Sequence, residues 1–415
     1  MRKIKNGLIL AGGDSTRFWP LEEKNLFSFL GRPLILYQLE ELSNYCEKIT
    51  VIASKKNAAP LNRLIEASLG ASKYQVIIQD DLDGQSGAVL SAKNLVKGEV
   101  LIINANDIFD FKILEKIVQT AKQENKVILF GKKISEYFPG GYFKFDAKGK
   151  LMAIIEKPRK DKIPSNITKL VIDYYSDIDY LTKALEKVKT SNDDHYEVAL
   201  SQLLSTEIDR EYFIYDGYWQ SLKFPWHVLL MTKLFLATIK ASKISSSARI
   251  SKKALIVGPV IIGDDVVIGD FVKISGPVFI GDNSIIGDYS LIRESQIGED
   301  CLIGSYSEIA RSSIGNKVFL HRNYVGDSVL ADKAMMGAQA VTANLRFDGE
   351  TVKETNLSKL GAVIGEESKI GVNATLTPGV KIGKKTWINS GEVVNQDVKD
   401  KVYFSDGKEK VNLKV

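Results

Sequence analysis

Ile262-Gly263-Asp264-Asp265-Val266-Val267-Ile268-Gly269-Asp270-Phe271-Val272-Lys273-Ile274 opens a stretch in which isoleucine returns at every sixth position. The series runs on through Ile280, Ile286 and Ile292. One shortened turn shifts its phase to Ile297, Ile303 and Ile309, and another leads to Ile314 and Leu320. After an interruption it resumes at Ile364, Ile370, Leu376, Ile382 and Ile388. A small polar pair often follows the aliphatic residue, as in Gly263-Asp264, Gly269-Asp270, Gly281-Asp282 and Gly287-Asp288. A helix repeats near 3.6 residues and an ordinary strand near 2, so a period of six fits neither. It describes a coil of three short flat sides. Each hexapeptide makes one side, its aliphatic residue points into a shared core, glycine helps at the corner, and stacked coils pair as parallel strands. The polar segment Leu345 to Lys359 breaks the repeat and is expected to project as a loop from one corner.

Upstream the pattern changes. Short apolar strands alternate with amphipathic helices: Leu8–Ala11, Leu34–Leu42, Ile49–Ala53, Pro60–Ala67, Val76–Ile78, Ser86–Leu95, Val100–Asn104, Leu114–Ala121 and Val127–Phe130. That alternation predicts βαβ units and a mostly parallel sheet, whose ligands bind at the carboxyl ends of the strands. A helix-like run, Val228–Ile239, leads into Ser242–Ser247, which places the boundary near 240 and gives domains 1–240 and 241–415.

The 415 residues suffice for two or three domains. With 44% hydrophobic and 26% charged residues the composition is that of a soluble globular chain. Net charge is +5, from 56 basic and 51 acidic residues, which does not demand nucleic acid and suits small anionic substrates. Cys46 and Cys301, one in each half, make no disulfide framework, so a reducing cytoplasm is expected. No Cys/His cluster has zinc spacing. The apolar run after Met1-Arg2-Lys3 is too short for a signal peptide, and no stretch approaches the ~18 apolar residues of a membrane helix.

Residues 8–24 read Leu-Ile-Leu-Ala-Gly-Gly-Asp-Ser-Thr-Arg-Phe-Trp-Pro-Leu-Glu-Glu-Lys. A hydrophobic strand runs straight into Gly12-Gly13. Glycines let backbone approach a phosphate, and consecutive N–H groups can point at it. Arg17 and Lys24 can neutralise its charge. Neither Gly-Lys-Ser/Thr nor G-x-G-x-x-G is present, so this is not a P-loop or a dinucleotide fingerprint.

The pattern L-x-G-G-x-x-T-R-x-x-P-L followed by Lys resembles the signature loop of sugar-1-phosphate nucleotidylyltransferases. Over nearly the whole chain the resemblance extends to the two-domain enzymes typified by the bifunctional N-acetylglucosamine-1-phosphate uridylyltransferase/glucosamine-1-phosphate acetyltransferase family. It implies an α/β Rossmann-like nucleotidyltransferase domain followed by a left-handed parallel β-helix of hexapeptide repeats. It implies nucleotide binding by Leu10, Ala11, Gly12, Gly13, Gln79, Gly84, Ser86 and Gly87. Arg17 and Lys24 would be catalytic, and Asp107, in Asn106-Asp107, would bind Mg2+. Gly141, in Gly140-Gly141-Tyr142, with Glu156 and Lys157, in Glu-Lys-Pro, would meet the sugar. Two departures bear on this site. Ser221 stands where the family has a second metal-binding Asp, leaving Asp107 with the substrate phosphates, or Asp216, to hold the ion. Ile172-Asp173-Tyr174-Tyr175 replaces Asn-Ala-Gly, which leaves the sugar's identity open.

His321 lies within the repeat, in Leu320-His321-Arg322-Asn323-Tyr324-Val325-Gly326-Asp327, followed by Gly337-Ala338 and Asn344. This resembles the family's acetyltransferase site. His321 would be the general base toward a sugar amine, with acetyl-CoA as cosubstrate and Arg293, Tyr324 and Asn344 binding the sugar phosphate or amine. Met335 and Ile309 stand where the family has an Asn and a phosphate-binding Lys. Two roles for the repeat therefore stay open, acetyl transfer or the assembly of homotrimers alone. The leading expectation is an enzyme that joins a nucleoside triphosphate, UTP or dTTP, to a sugar 1-phosphate, with no nucleic acid or membrane partner. The competing ones are a non-catalytic regulatory or assembly subunit of the same build and a pure acetyltransferase with a degraded first domain.

Overall fold

A computed structural model of the protein describes residues 2–70, 72–79, 84–121, 126–190 and 192–412. Two compact units emerge: Met1–Asp14 with Leu34–Trp219, and Ser15–Pro33 with Gln220–Val415. Among the described residues, no helix is long and apolar enough to cross a membrane.

The first unit is built on a nine-stranded sheet. Its central strand, Ile4–Ala11, is buried at every position but Lys5. Such a continuous apolar run is what a strand covered on both faces requires. Cys46–Ala53 and Val100–Asn104 flank it in parallel, and Tyr74–Ile78 extends the parallel set. Helices Leu34–Tyr45 and Ala58–Leu69 form the first two crossovers, the first burying all its leucines and its isoleucine, the second Ala58, Leu61 and Ile65.

Beyond Asn104 the sheet becomes mixed: Asp209–Ile214 still runs parallel to Lys126–Lys133, but the other pairings are antiparallel. Ile167–Tyr175 runs antiparallel to Val100–Asn104, to Lys126–Lys133 and to Gly141–Phe145. Gly141–Phe145 and Leu151–Glu156 form a hairpin. The reason is local: Asp146 Oδ1 accepts from the amides of Lys148 and Lys150, and Gly149 takes φ +78°. A tight turn replaces the helix that a parallel return would need.

In the second unit the hexapeptide coil stands as read. Among the described residues, three sheets of eight, ten and eight strands, parallel except for the closing hairpin Val402–Ser405 and Lys408–Asn412, form the sides of a left-handed β-helix. Every ladder residue from Ile262 to Ile388 named above is at most 3% exposed. Ile280 pairs above Ile262 and Ile297 above Ile280, so each shortened turn is absorbed at a corner and the core column stays intact. The Gly-Asp pairs have a steric cause. Asp282 Oδ1 accepts from the Asp264 amide of the coil below at 2.7 Å and fills the space beside Gly263, where a Cβ would lie 2.1 Å away. Asp288 does the same over Gly269 and Asp270. The segment expected to leave the coil does so: Leu345 and Lys359 bridge antiparallel at its base, and Phe347 is fully exposed. Val352 and Leu360 anchor it against Trp226.

Candidate active sites

In the first unit, the carboxyl end of the central strand runs into Gly12 and Gly13. A Cβ on Gly12 would lie 2.0 Å from Gln79 Oε1. Gln79 is fixed in turn: its amide N–H donates to the Ala53 carbonyl at 2.7 Å and its Nε2 to the Gly84 carbonyl at 3.1 Å. Leu10, Ala11, Gly12, Gln79 and Gly84 are thus brought together at this end of the strand. Asn57 Nδ2 donates to the Ala11 carbonyl at 2.9 Å, a further tie that the motif reading missed. Ser86 and Gly87 are buried in the first turn of helix Gly84–Ser91, and Ser86 Oγ finds no partner among the described residues. A helix start with an unused hydroxyl in its first turn suits an anion.

Asp107 follows the next strand. The Ala105 amide donates to the Leu10 carbonyl at 3.1 Å, which sets this turn beside the glycine loop. Gln38, wholly buried, donates to the carbonyls of Asn104 at 3.1 Å and Asp107 at 2.6 Å and fixes the bend. Asp107 is 4% exposed, and Trp219 Nε1 donates to its Oδ2 at 3.4 Å. Among the described residues, no group of three or more His, Cys, Asp or Glu side chains could hold a metal ion.

Gly141, Glu156 and Lys157 also converge. Ile172 pairs with Ile103, so residues 167–170 outrun Asn104, and Tyr142 pairs with Thr168 on that extension. Gly141 faces Glu156 across the hairpin. A Cβ on Gly141 would lie 3.4 Å from Glu156 Oε2 and 3.6 Å from Glu197 Cγ. Lys157 Nζ sits 3.4 Å from Glu156 Oε1 and 2.7 Å from Asp193 Oδ2. Glu197 was not expected. Burial, and then the like charge of Glu156, push its carboxyl up to about 7. Behind it Lys169 pairs with Asp173 at 2.7 Å in full burial, and Tyr196 OH donates to Asp173 Oδ2 at 2.7 Å. Burial raises the Asp173 carboxyl despite that lysine. Asp173 thus belongs to a closed polar cluster, and its place in the sequence gave no sign of the lysine four residues earlier.

Arg17 and Lys24 lie in the other compact unit, in the short 3-10 turns Thr16–Phe18 and Lys24–Leu26. Arg17 lies 6.0 Å from the ring centroid of Phe224, which stacks on Trp226 at 4.7 Å. Ser221 is buried, and His227 Nδ1 donates to its carbonyl at 2.6 Å. Burial drives the His227 imidazole down to about 4, so it is neutral at neutral pH and no acid.

On the β-helix, Tyr324 OH and Asn344 Nδ2 meet over Gly326, where a Cβ would lie 2.6 and 2.7 Å from them. Asn344 Nδ2 donates to Asp327, which Arg311 grips through two bonds of 2.6 Å. His321 is exposed at a corner, its amide held by Asn323 Oδ1 at 2.5 Å. Arg293 stands two coils below Gly326 in the same column and pairs with Glu308 at 2.5 Å. Ile309 is a core residue with no exposure, which is why no lysine can occupy its place.

The family model for nucleotidyl transferase matches residues 6–222, the GMPPB C-terminal domain matches 238–341, and the hexapeptide repeat of succinyl-transferase matches 361–396. The bifunctional protein GlmU of Methanococcus vannielii is 33% identical over 97% of this chain and 98% of its own length. A bifunctional sugar-1-phosphate nucleotidylyltransferase/acetyltransferase of Sulfurisphaera tokodaii is 36% identical over 94% of this chain and 97% of its own. The solved structure of a putative glucose-1-phosphate thymidylyltransferase from Bacillus anthracis covers 56% of this chain and 95% of that chain, with 18% identity and a TM-score of 0.48.

Proposed function

Because the chain belongs to the nucleotidyl transferase family, in the two-domain form that carries a hexapeptide β-helix, we propose that it transfers a nucleoside monophosphate from UTP or dTTP to a sugar 1-phosphate. The observation that carries this reading is the Gly12–Gln79 contact. It locks a backbone stripped of side chain against an amide that is itself tied to the start of helix Gly84–Ser91. One such element serves a phosphate and the other a base.

An oxygen of the sugar phosphate attacks the α-phosphorus in line. The new P–O bond forms as the bond to the β-bridging oxygen breaks, and pyrophosphate leaves with that electron pair. The nucleophile is already an anion, so no side chain removes a proton. Leu10 to Gly13, Ser86 and Gly87 hold the triphosphate, and Arg17 and Lys24 offset the charge that develops. Gly141 and Glu156 take the sugar hydroxyls, with Lys157 balancing Glu156. A magnesium ion fits Asp107, because this ion commonly takes one or two carboxylates and leaves its other positions to phosphate oxygens and water. Held there, it would supply positive charge that lowers the repulsion among the phosphate oxygens. Residues 1–240 would carry this reaction and 241–415 the β-helix.

The Tyr324–Asn344 pair over Gly326 favours a second reaction, acetyl-CoA-dependent N-acetylation of an aminosugar 1-phosphate. His321 takes a proton from the amine as its nitrogen attacks the thioester carbonyl. The C–S bond then breaks, and the imidazolium protonates the departing thiolate. Arg293, shared with Glu308, contributes less to phosphate binding than a free cation would. Three chains joined through the β-helix and a cytoplasmic setting, in which Cys46 and Cys301 stay as buried thiols, complete the reading.

The test is product analysis with α-labelled UTP and dTTP, magnesium and a panel of hexose and hexosamine 1-phosphates. Label in a nucleoside-diphosphate sugar is the expected result. Label retained in the triphosphate with every sugar would leave a regulatory or assembly subunit as the reading.

A further inference from the structure

The segment that carries Arg17 and Lys24 belongs to the same compact unit as the β-helix, and side chains of the coil hold it on both sides of Lys24. Before the lysine, Trp19 Nε1 donates to Asp400 Oδ1 at 2.9 Å. Lys381 Nζ lies 5.5 Å from the Trp19 ring centroid, and Glu22 pairs with Lys384. After it, buried Gln296 uses both ends of its amide. Its Oε1 accepts from the Leu30 amide at 3.0 Å, while its Nε2 donates to the Ser28 carbonyl at 3.1 Å and to Ser313 Oγ at 2.8 Å. Gly31, at φ +75°, approaches Phe279 so closely that a Cβ would lie 3.0 Å from the ring. Between these anchors the chain spans a cavity of about 250 Å³, lined by Leu21, Leu26 and Phe27 on one side and Ile297, Ile314 and Leu330 on the other. A 3-10 turn of three residues has little hydrogen-bonded frame of its own, so contacts from the coil on either side of it bear on where its side chains sit.

We propose that Gln296 and Asp400 are positioning residues for nucleotidyl transfer, fixing the Arg17–Lys24 segment from the β-helix. The hexapeptide coil then serves the first reaction as well as the second. This rests on the nucleotidyl-transfer reading above. Both residues act through the segment, Gln296 through its backbone and Asp400 through the Trp19 indole. Their effect therefore falls on turnover, where a lysine displaced by about 1 Å can cost ~100-fold.

The test uses the full-length chain with Gln296→Ala, Asp400→Ala, Asp400→Asn and Trp19→Phe. Two quantities are read: kcat for nucleotidyl transfer, and deuterium uptake of residues 15–33 beside that of the coils. Gln296→Ala and Asp400→Ala are expected to raise uptake in 15–33 alone and to cut kcat about 10- to 100-fold. KM for the sugar phosphate should stay near the wild-type value. Asp400→Asn, which still offers an oxygen to Trp19, should retain both properties, and Trp19→Phe should follow Asp400→Ala. Unchanged kcat in spite of raised uptake would overturn the proposal. So would a fall in kcat accompanied by exchange throughout the coil, since that is a folding defect. A wild-type chain that transfers no nucleotide would refute the functional reading and this proposal with it; an active one with indifferent variants would refute this proposal alone.

Discussion

Gly12 has no room for a side chain unless Gln79 moves. Alanine there forces Gln79 from its place or shifts the loop, and kcat/KM for the nucleoside triphosphate should fall about 100-fold. Steady-state kinetics of Gly12→Ala checks this, with thermal unfolding to show that the sheet is intact. Glu197 yields a prediction in pH. Its carboxyl is raised from 4.5 to about 7, so the folded chain keeps a proton that the unfolded chain releases. The associated stability is full below pH 4.5 and is lost as pH rises through 7. Glu197→Gln should therefore melt higher than the wild type at pH 8 and show little difference near pH 4. Equal offsets at both pH values would contradict the placement of Glu197 against Glu156. Of these two residues only Gly12 was legible in the sequence. A glycine after an apolar strand announces its backbone role, whereas Glu197 acquires its role from a hairpin that brings Glu156 and Gly141 to it.

The β-helix is the element that sequence describes most completely, because a strict period fixes which residues are buried. Each ladder isoleucine removed from water contributes about 1.5–3 kcal/mol. Ile309→Lys, which restores the family's cation by identity alone, would bury that charge in the core column. It should lower the melting temperature steeply and yield no gain in acetyl transfer. The proposed acceptor site rests on another element, the Arg311–Asp327–Asn344 chain across coils. Asp327→Ala frees both partners and should cut acetyl transfer at least about 10-fold, with nucleotidyl transfer unchanged. Arg311 and Glu308 escaped the motif reading because pairing across coils joins residues sixteen or so apart, a spacing that carries no local signature. The mixed half of the first sheet escaped for a similar reason: strand direction past Asn104 depends on a turn at Asp146–Gly149 rather than on hydrophobic pattern.

At the scale of the whole molecule, two reactions on one chain should be separable by single substitutions. His321→Ala is expected to abolish acetyl transfer and spare nucleotidyl transfer, and light scattering should return the mass of three chains. The central claim is that the first site transfers a nucleotide with the help of Lys24. Its most direct test is pyrophosphate release by the full-length chain, with magnesium, UTP or dTTP and hexose or hexosamine 1-phosphates, beside Lys24→Ala. The account predicts turnover with at least one pair and a loss of about 100-fold or more in the variant. Turnover that survives Lys24→Ala intact, or none with any pair, would contradict it.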